Sequence, residues 1–321
     1  MNRANIIFFM RAVFIDLLKE ICEEQGFDLF LYSGDWIAIV KNSSSSSSTI
    51  YGYNFSLNDA ASAQVCQDKN ATSAILESAG VPVVKHELFL NPTDALVERL
   101  IPVTGSLSRI IAFASEFNFR VVLKPVCGTG GNGVMRANNC KEVEASAMLL
   151  FQKYHGIVVC PFLYILREIR VVVLNGQVRL VYEKKRRSVI GDGVSPVSAL
   201  ILQQNEASLK SVSRNVDGCS SYIPQEGEEV PIEWRHNLGH GATPVLITDP
   251  DQRICDLAIS TVNALGVRFC SVDIIETEAG HFSVLEVNAG VMMDSFLSSA
   301  DSRYRSLAKS IYTDAILSSL V

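Results

Sequence analysis

The stretch Ser271-Val-Asp-Ile-Ile-Glu-Thr-Glu-Ala-Gly-His-Phe-Ser-Val-Leu-Glu-Val-Asn-Ala-Gly290 constrains the fold more than any other. Two segments rich in β-branched residues flank a polar Thr277–Gly280 turn, which predicts a β-hairpin. Side chains alternate along a strand, so Glu286 and Asn288 share one face. A two-residue loop at Glu278 and Ala279 sets Asp273 opposite Val284. Glu286 is then its diagonal neighbour on the same face, roughly 7–8 Å away. A register slipped by one residue would turn that face over. Aligned in this way, Asp273, Glu286 and Asn288 present only oxygen ligands. That set suits a hard cation such as Mg²⁺, which takes one or two carboxylates and completes its shell with phosphate and water. An ordinary half-exposed hairpin with polar residues carries the same pattern.

The chain has 321 residues, 48% hydrophobic and 19% charged, a globular composition with room for two or three subdomains. A formal charge of −6 argues against nucleic acid or an acidic membrane as the main partner. The apolar run Ile6–Met10 is short and is followed by Arg11 and Asp16, with no small-residue cleavage site. It therefore reads as neither signal peptide nor membrane span. Eight cysteines without a C-x-x-C pair predict reduced, mostly buried thiols in a cytosolic protein; their even number leaves disulfides as the alternative.

Val13, Leu17, Leu18 and Ile21 predict a helix over 11–25, ending at Gly26. Phe27–Tyr32 and Trp36–Val40 read as strands and Ser43–Ser48 as a solvated loop tip, so residues 1–65 form a small α/β unit. Asp68-Lys69 precedes a helix closed at Gly80, and Lys69 alone would be an ordinary helix-start lysine. The strand Phe119–Pro125 runs into Cys127-Gly-Thr-Gly-Gly-Asn-Gly-Val134, whose glycines let backbone N–H groups approach an anion, with Lys124 adding a point charge. Gly128, Gly130 and Gly133 match G-x-G-x-x-G in spacing. The loop leads into a strand-like Val134–Ala137 and not a helix, so the dinucleotide reading fails, and there is no G-K-[ST]. A glycine-rich hairpin turn is the plainer alternative to phosphate binding.

Lys141–Lys153 reads as a helix and Gly156–Phe162 as an apolar strand. Glu168–Leu174 and Gln177–Glu183 form a hairpin on Asn175-Gly176, with Glu168 and Arg170 on one face. Lys184–Arg187 is a row of cations for phosphates or carboxylates, or a solvated edge. Gly191-Asp-Gly193 is a turn, Val194–Leu202 starts a helix, and Pro231–Gly241 is a strand entering a glycine loop. Arg235 and Asn237, two apart at that strand end, then point the same way. Gly239 breaks any helix between His236 and His240, which argues against zinc. Helices over Arg253–Leu265 and from Ser302 to Leu320 complete the chain.

In order, Asp68-Lys69, Val122-Leu-Lys-Pro125 with its glycine loop, Arg167-Glu-Ile-Arg170, Arg235-His-Asn-Leu-Gly239, Val272-Asp-Ile274 and Leu285-Glu-Val-Asn-Ala289 resemble the motifs of the ATP-grasp superfamily over roughly residues 51–292. The likeness is closest to the ATP-grasp module of cyanophycin synthetase and of the bifunctional glutathione-making enzymes. It implies an α+β fold in which a small lobe (about 66–160) and a large lobe (about 161–321) enclose ATP behind the N-terminal α/β domain (1–65). Lys69 and Lys124 would contact the phosphates, and Gly128, Gly130, Gly131 and Gly133 would cover them. Val158–Phe162, including Val159 and Phe162, would be the hinge against adenine, with Glu168 on the ribose. Asp273, Glu286 and Asn288 would hold Mg²⁺, for which Mn²⁺ can substitute. Arg235 and Asn237 would face the transferred phosphate, and Arg170 would bind phosphate or a substrate carboxylate. Two departures stand out: Pro161 at the hinge, and Ala289–Asp294 without the Pro-Gly of the closest relatives.

The resemblance implies a cytoplasmic, ADP-forming ligase. It would join a small-molecule carboxylate to an amine, an amino acid or peptide, through an acyl phosphate. No nucleic-acid or membrane partner is implied, and a homo-oligomer is compatible with it. The rivals are phosphoryl transfer without ligation and a non-catalytic ATP sensor.

Overall fold

The apolar spacing near the N-terminus extends beyond 11–25: helix α1 spans Arg3–Gln25 and buries Phe14, Leu17, Leu18 and Ile21. Strands β1 (Asp28–Tyr32), β2 (Ile37–Lys41), β3 (Ser47–Tyr51) and β4 (Asn54–Phe55) form an antiparallel sheet in that order. The serine run departs from expectation, because Ser47 and Ser48 belong to β3. Ser48 is fully buried, and its hydroxyl is hydrogen-bonded to Ser319 Oγ at 2.6 Å. Only the turn at 42–46 is loop. This computed structural model describes residues 3–91, 107–128, 131–204, 221–278 and 280–320.

Next come α2 (Ala60–Gln67), α3 (Lys69–Ser78), β5 (Glu87–Leu90), α4 (Leu107–Ser115), β6 (Val121–Pro125), β7 (Met135–Ala137), α5 (Cys140–Phe151) and β8 (Gly156–Pro161). The sheet order is β5-β8-β6-β7, with every pairing antiparallel. One face buries Val121, Leu123, Ile157 and Val159 against Ile110 and Phe113 of α4 and Val143 and Leu150 of α5. The other carries Lys124, Val158 and Cys160.

Strands β9 (Ile165–Leu174) and β10 (Gln177–Lys185) meet at Asn175-Gly176, where both residues have positive φ (50° and 73°), as a tight hairpin turn of this hand requires. β10 runs from one compact unit, Met1–Tyr182 with Leu246–Val321, into a second, Glu183–Val245. The second unit holds β11 (Ser188–Ile190), α6 (Val197–Gln204), β12 (Glu229–Pro231) and a 3₁₀ turn at Leu238–His240. Val189, Val197, Leu200, Ile201 and Ile232 form its core. Helix α6 starts later than Val194 because Asp192 Oδ1 accepts the N–H groups of Val194 and Ser195, holding both in a turn. Only glycine fits at 191, where a Cβ would stand 2.1 Å from the Gln225 carbonyl oxygen.

The chain returns through β13 (Thr243–Leu246), then α7 (Gln252–Leu265) closed by left-handed Gly266, β14 (Phe269–Thr277), β15 (Phe282–Asn288), α8 (Asp294–Leu297) and α9 (Ser302–Ser319). The large sheet has the order β13-β10-β9-β14-β15. Its apolar face, with Ile169, Val171, Val173, Val272, Ile274 and Val287, packs on Ile254, Leu257, Ala258 and Val262 of α7. Tyr312 of α9 stacks on Phe55 and meets Phe14 edge-on, so the N-terminal sheet shares its core with the C-terminal helix. The described cysteines are free thiols, with Cys219 outside the described residues; burial pushes Cys22 up to about 11 and Cys66 to about 12. Among the described residues no helix is long and apolar enough to cross a membrane.

Glu20 of α1 ties the same two ends together by accepting from Arg305 Nη2 at 2.7 Å and Lys309 Nζ at 2.7 Å. These bonds, Arg305 first, hold its carboxyl down to about 2 from 4.5. A depressed carboxyl stabilises the fold above its unfolded value, and the contribution fades as pH falls from 4.5 toward 2. The pair is part-exposed, so Glu20→Gln is expected to lower the melting temperature by only roughly 1–3 °C at pH 7. Melting curves for both proteins should converge between pH 4.5 and 2; a constant gap would contradict the ion-pair account.

Candidate active site

Three strands of the large sheet bring a polar row onto one face. Arg170 on β9 pairs with Asp273 on β14, which pairs with Glu286 on β15. The adjoining row is Val172, Ser271 and Asn288. Asp273 therefore lies directly opposite Glu286, and neither opposite Val284 nor diagonal to Glu286. The hairpin loop is longer than two residues: Thr277 N–H donates to the His281 carbonyl, and Ile274 faces Val284. That register alone would set Asp273 against Leu285 and send Glu286 to the apolar face. One residue further the pairing jumps, leaving Leu285 as an extra, bulged residue, and the carboxylate face is restored.

Within that row the Arg170 fork binds both oxygens of Asp273, Nε to Oδ1 at 2.6 Å and Nη2 to Oδ2 at 2.7 Å. Asp273 is 0% exposed. Burial works against the guanidinium charge, the Asp273 carboxylate more than offsets it, and Arg170 stays charged well above its ordinary value. Asp273 thus holds Arg170 through both of its oxygens. Glu286 and Asn288, joined at 3.4 Å through Asn288 Nδ2, stand beside it at the strand end. The carboxylate and amide oxygens of this row fit a hard cation such as Mg²⁺, which leaves most of its shell to phosphate and water. No group of three or more His, Cys, Asp or Glu gathers as a metal cage among the described residues.

A cluster of cations faces this row. Asp68 caps α3 by accepting from Asn70 and Ala71 N–H, which fixes Lys69 at the first helical position. A lysine there opposes the positive helix end. Its ammonium donates to the Gly128 carbonyl at 3.2 Å. Burial pulls its pKa down, Glu286 opposes that, and Lys124 adds to the lowering, so the three groups sense one another. Lys124 is 7% exposed, and among the described residues no carboxylate or carbonyl accepts from it. Beyond β6 the chain turns through Gly131 and Gly133, both at φ 69°. At Gly133 a Cβ would sit 3.0 Å from Pro125 Cγ, so the loop folds back over Lys-Pro only with glycine there.

Other expected residues fall differently. Gly130 lies outside the described residues. Glu168 is buried on the Arg170 face, two residues along β9. Val159 is fully buried in the core of the smaller sheet and faces away from Lys124; its neighbours Val158 and Cys160 share the Lys124 face. Phe162 lies under the Arg136 guanidinium, 4.1 Å from ring centre. In the second unit, Arg235 and Asn237 are not on a strand, since β12 stops at Pro231. Arg235 folds its fork onto Glu233 at 3.2 and 3.3 Å, and Asn237 Oδ1 caps the 3₁₀ turn by accepting from Gly239 N–H at 2.7 Å. Sequence reasoning also missed His86, which shares the surroundings of both lysines.

No protein-family profile matches the chain. Curated relatives do. Over 233 residues it is 28% identical to a cyanophycin synthetase of Nostoc sp., covering 66% of this chain and 24% of that protein. Over 297 residues it is 24% identical to the glutathione biosynthesis bifunctional protein GshAB of Enterococcus faecalis, covering 86% and 36%. The chain thus spans about a quarter to a third of the length of these relatives. Among solved structures it superposes on a bifunctional glutathione synthetase from Pasteurella multocida with a TM-score of 0.55 at 19% identity, covering 93% of this chain and 43% of that one. On D-alanine–D-alanine ligase from Bacillus anthracis the TM-score is 0.51 at 16% identity, covering 82% and 70%. The chain is homologous to segments of cyanophycin synthetase and GshAB, and its fold is the ATP-grasp fold.

Replacing Asp273 by Asn would strand a buried guanidinium. Asp273→Asn is expected to cost about 3–5 kcal/mol of folding stability, the scale for breaking a buried pair. Denaturant unfolding checks this, and a stability unchanged within error would show that the Arg170 fork does not depend on the carboxylate.

Proposed function

We propose that the chain is an ADP-forming carboxylate–amine ligase that uses ATP and Mg²⁺. The observation that carries this reading is Lys124, a largely buried lysine without an anionic partner among the described residues. An unpaired buried charge is costly, and it persists where a ligand supplies the opposite charge. Lys69 of α3, whose ammonium donates to the Gly128 carbonyl, senses Lys124, and two such ammonium groups suit a polyphosphate.

In this reading a substrate carboxylate oxygen attacks the γ-phosphorus, the bond to the ADP oxygen breaks, and an acyl phosphate forms. The amine nitrogen then attacks the acyl carbon, inorganic phosphate leaves, the nitrogen loses a proton and an amide results. A divalent cation, which Asp273, Glu286 and Asn288 would hold, would supply charge neutralisation at the phosphates when bound. Lys69 and Lys124 neutralise negative charge spread over the phosphate oxygens, and the glycine loop excludes water from the acyl phosphate. Arg170, fixed by Asp273, offers the rest of its fork to a carboxylate or phosphate. Val158–Phe162, including the backbone of Val159, would take the adenine and Glu168 the ribose. Arg235 and Asn237 keep the role of stabilising the transferred phosphoryl group, Arg235 after release from Glu233. The substrates are an amino acid or peptide carboxylate and an amine, in the cytoplasm. Residues 1–65, 66–160 and 161–321 act as N-terminal domain, small lobe and large lobe. The homology to amide-forming proteins supports the reaction class.

The test is ADP release at saturating ATP with pooled carboxylates and amines, beside calorimetry with a non-hydrolysable ATP analogue. Wild type is expected to bind the analogue and release ADP only when both pools are present. Glu286→Gln should fold but lose turnover. Lys124→Ala should weaken the analogue by about 2–3 kcal/mol, the worth of a shielded charge-assisted contact. A wild type that binds no nucleotide overturns the reading; nucleotide binding with ADP release from one pool alone would indicate phosphoryl transfer without ligation.

A further inference from the structure

His86 ends the connector from the large sheet to the smaller one. Upstream, Val84 N–H donates to the Val284 carbonyl and Val284 N–H to the Pro82 carbonyl, which pins the connector to β15 two residues before Glu286. Downstream, β5 starts at Glu87. The backbone at His86 is held tightly: its carbonyl accepts from Asn70 Nδ2 at 2.7 Å and its N–H donates to Ser73 Oγ at 3.3 Å. The ring is 2% exposed and lines a narrow recess with Lys69, Thr72, Ser73 and Glu286.

The ring nitrogens have different surroundings. Nδ1 lies 2.7 Å from the Val84 carbonyl oxygen, which can only accept, so Nδ1 carries the hydrogen. Burial first, and then Lys124 and Lys69, keep the imidazole neutral. Nε2 is therefore a bare lone pair, buried and without a partner. It can only accept; Lys69 lines the same recess, Lys124 stands in one row with Val158 and with Leu88, two residues after His86, and both ammonium groups can only donate. A buried acceptor with no donor costs free energy until one arrives.

We propose that His86 is a positioning residue for nucleotide binding, whose Nε2 accepts a hydrogen bond from the Lys124 ammonium in the nucleotide-bound state and so directs that ammonium's other two N–H groups to phosphate. The inference rests on the proposed role of Lys124 at the nucleotide. A neutral acceptor serves here better than a carboxylate: it orients the ammonium without cancelling the charge that the phosphate meets. A second imidazolium charge is excluded by the same surroundings.

The experiment is a double-mutant cycle on the affinity of a non-hydrolysable ATP analogue with Mg²⁺, using the whole chain. His86→Phe keeps a planar ring and removes the acceptor; His86→Gln keeps an acceptor oxygen. His86→Phe is expected to weaken binding about tenfold, the size of one hydrogen bond to a charged group, and His86→Gln less than about threefold. In a Lys124→Ala background His86→Phe should cause no further loss. Equal loss in both backgrounds would make the effect structural and overturn the inference, while loss of analogue binding in wild type would overturn the nucleotide reading instead. Should His86→Phe fail to fold, ¹⁵N-histidine spectra of the wild type decide. The Nε2 resonance should be that of an unprotonated nitrogen and shift upfield when the analogue binds; a protonated or unmoved Nε2 contradicts the proposal.

Discussion

The register between β14 and β15 changes by one residue at Leu285, and the face on which Glu286 and Asn288 stand depends on that change. The apolar side of this hairpin is closed against α7 by Val272, Ile274 and Val287, so no slip of the strands as a whole is open to it. The bulge is a local solution. It lets the hairpin loop take the length its turn residues favour and still returns the carboxylate to the polar face. The same strand edge binds the 82–84 connector, so the position of Glu286 and that of His86 are set by one element.

Charge balance then separates structure from ligand. Arg170 and Asp273 are both shielded, but they satisfy each other through a two-pronged contact. Among the described residues, Lys124 and Lys69 have no such carboxylate. Two lysines that sense each other and Glu286 form a neighbourhood in which an anion with its own metal can be balanced. Geometry fixes one of these relations: Asp273 holds the Arg170 fork, with Glu286 directly opposite it on β15.

Much of this was legible in the sequence. Glycines at 133 and 191, Asn175-Gly176 and the β-branched runs of β6, β9 and β14 fix backbone conformation locally, and local rules find them. The order of the motifs pointed to the fold now seen. What local rules could not find depends on distant partners. The serine run becomes β3 because Ser48 meets Ser319, from the far end of the chain. The bulge at Leu285 answers a core contributed by α7. The loss of strand character before Arg235 follows from Glu233, which binds Arg235 through both side chain and backbone. Val159 looked like a hinge residue, and only pairing to both β5 and β6 shows its side chain committed to the core. His86 did leave a signal: it alternates with Leu88 ahead of β5, on the face that Lys124 shares.

The most direct test of the central claim is a crystal of the chain grown with Mn²⁺ and a non-hydrolysable ATP analogue, measured at the manganese edge. The account predicts an anomalous peak at roughly 2.0–2.2 Å from a Glu286 carboxylate oxygen, the spacing of an octahedral hard cation. It also predicts the phosphates between that peak and the ammonium groups of Lys69 and Lys124. A peak ligated by other residues, or phosphates bound away from both lysines, would contradict it.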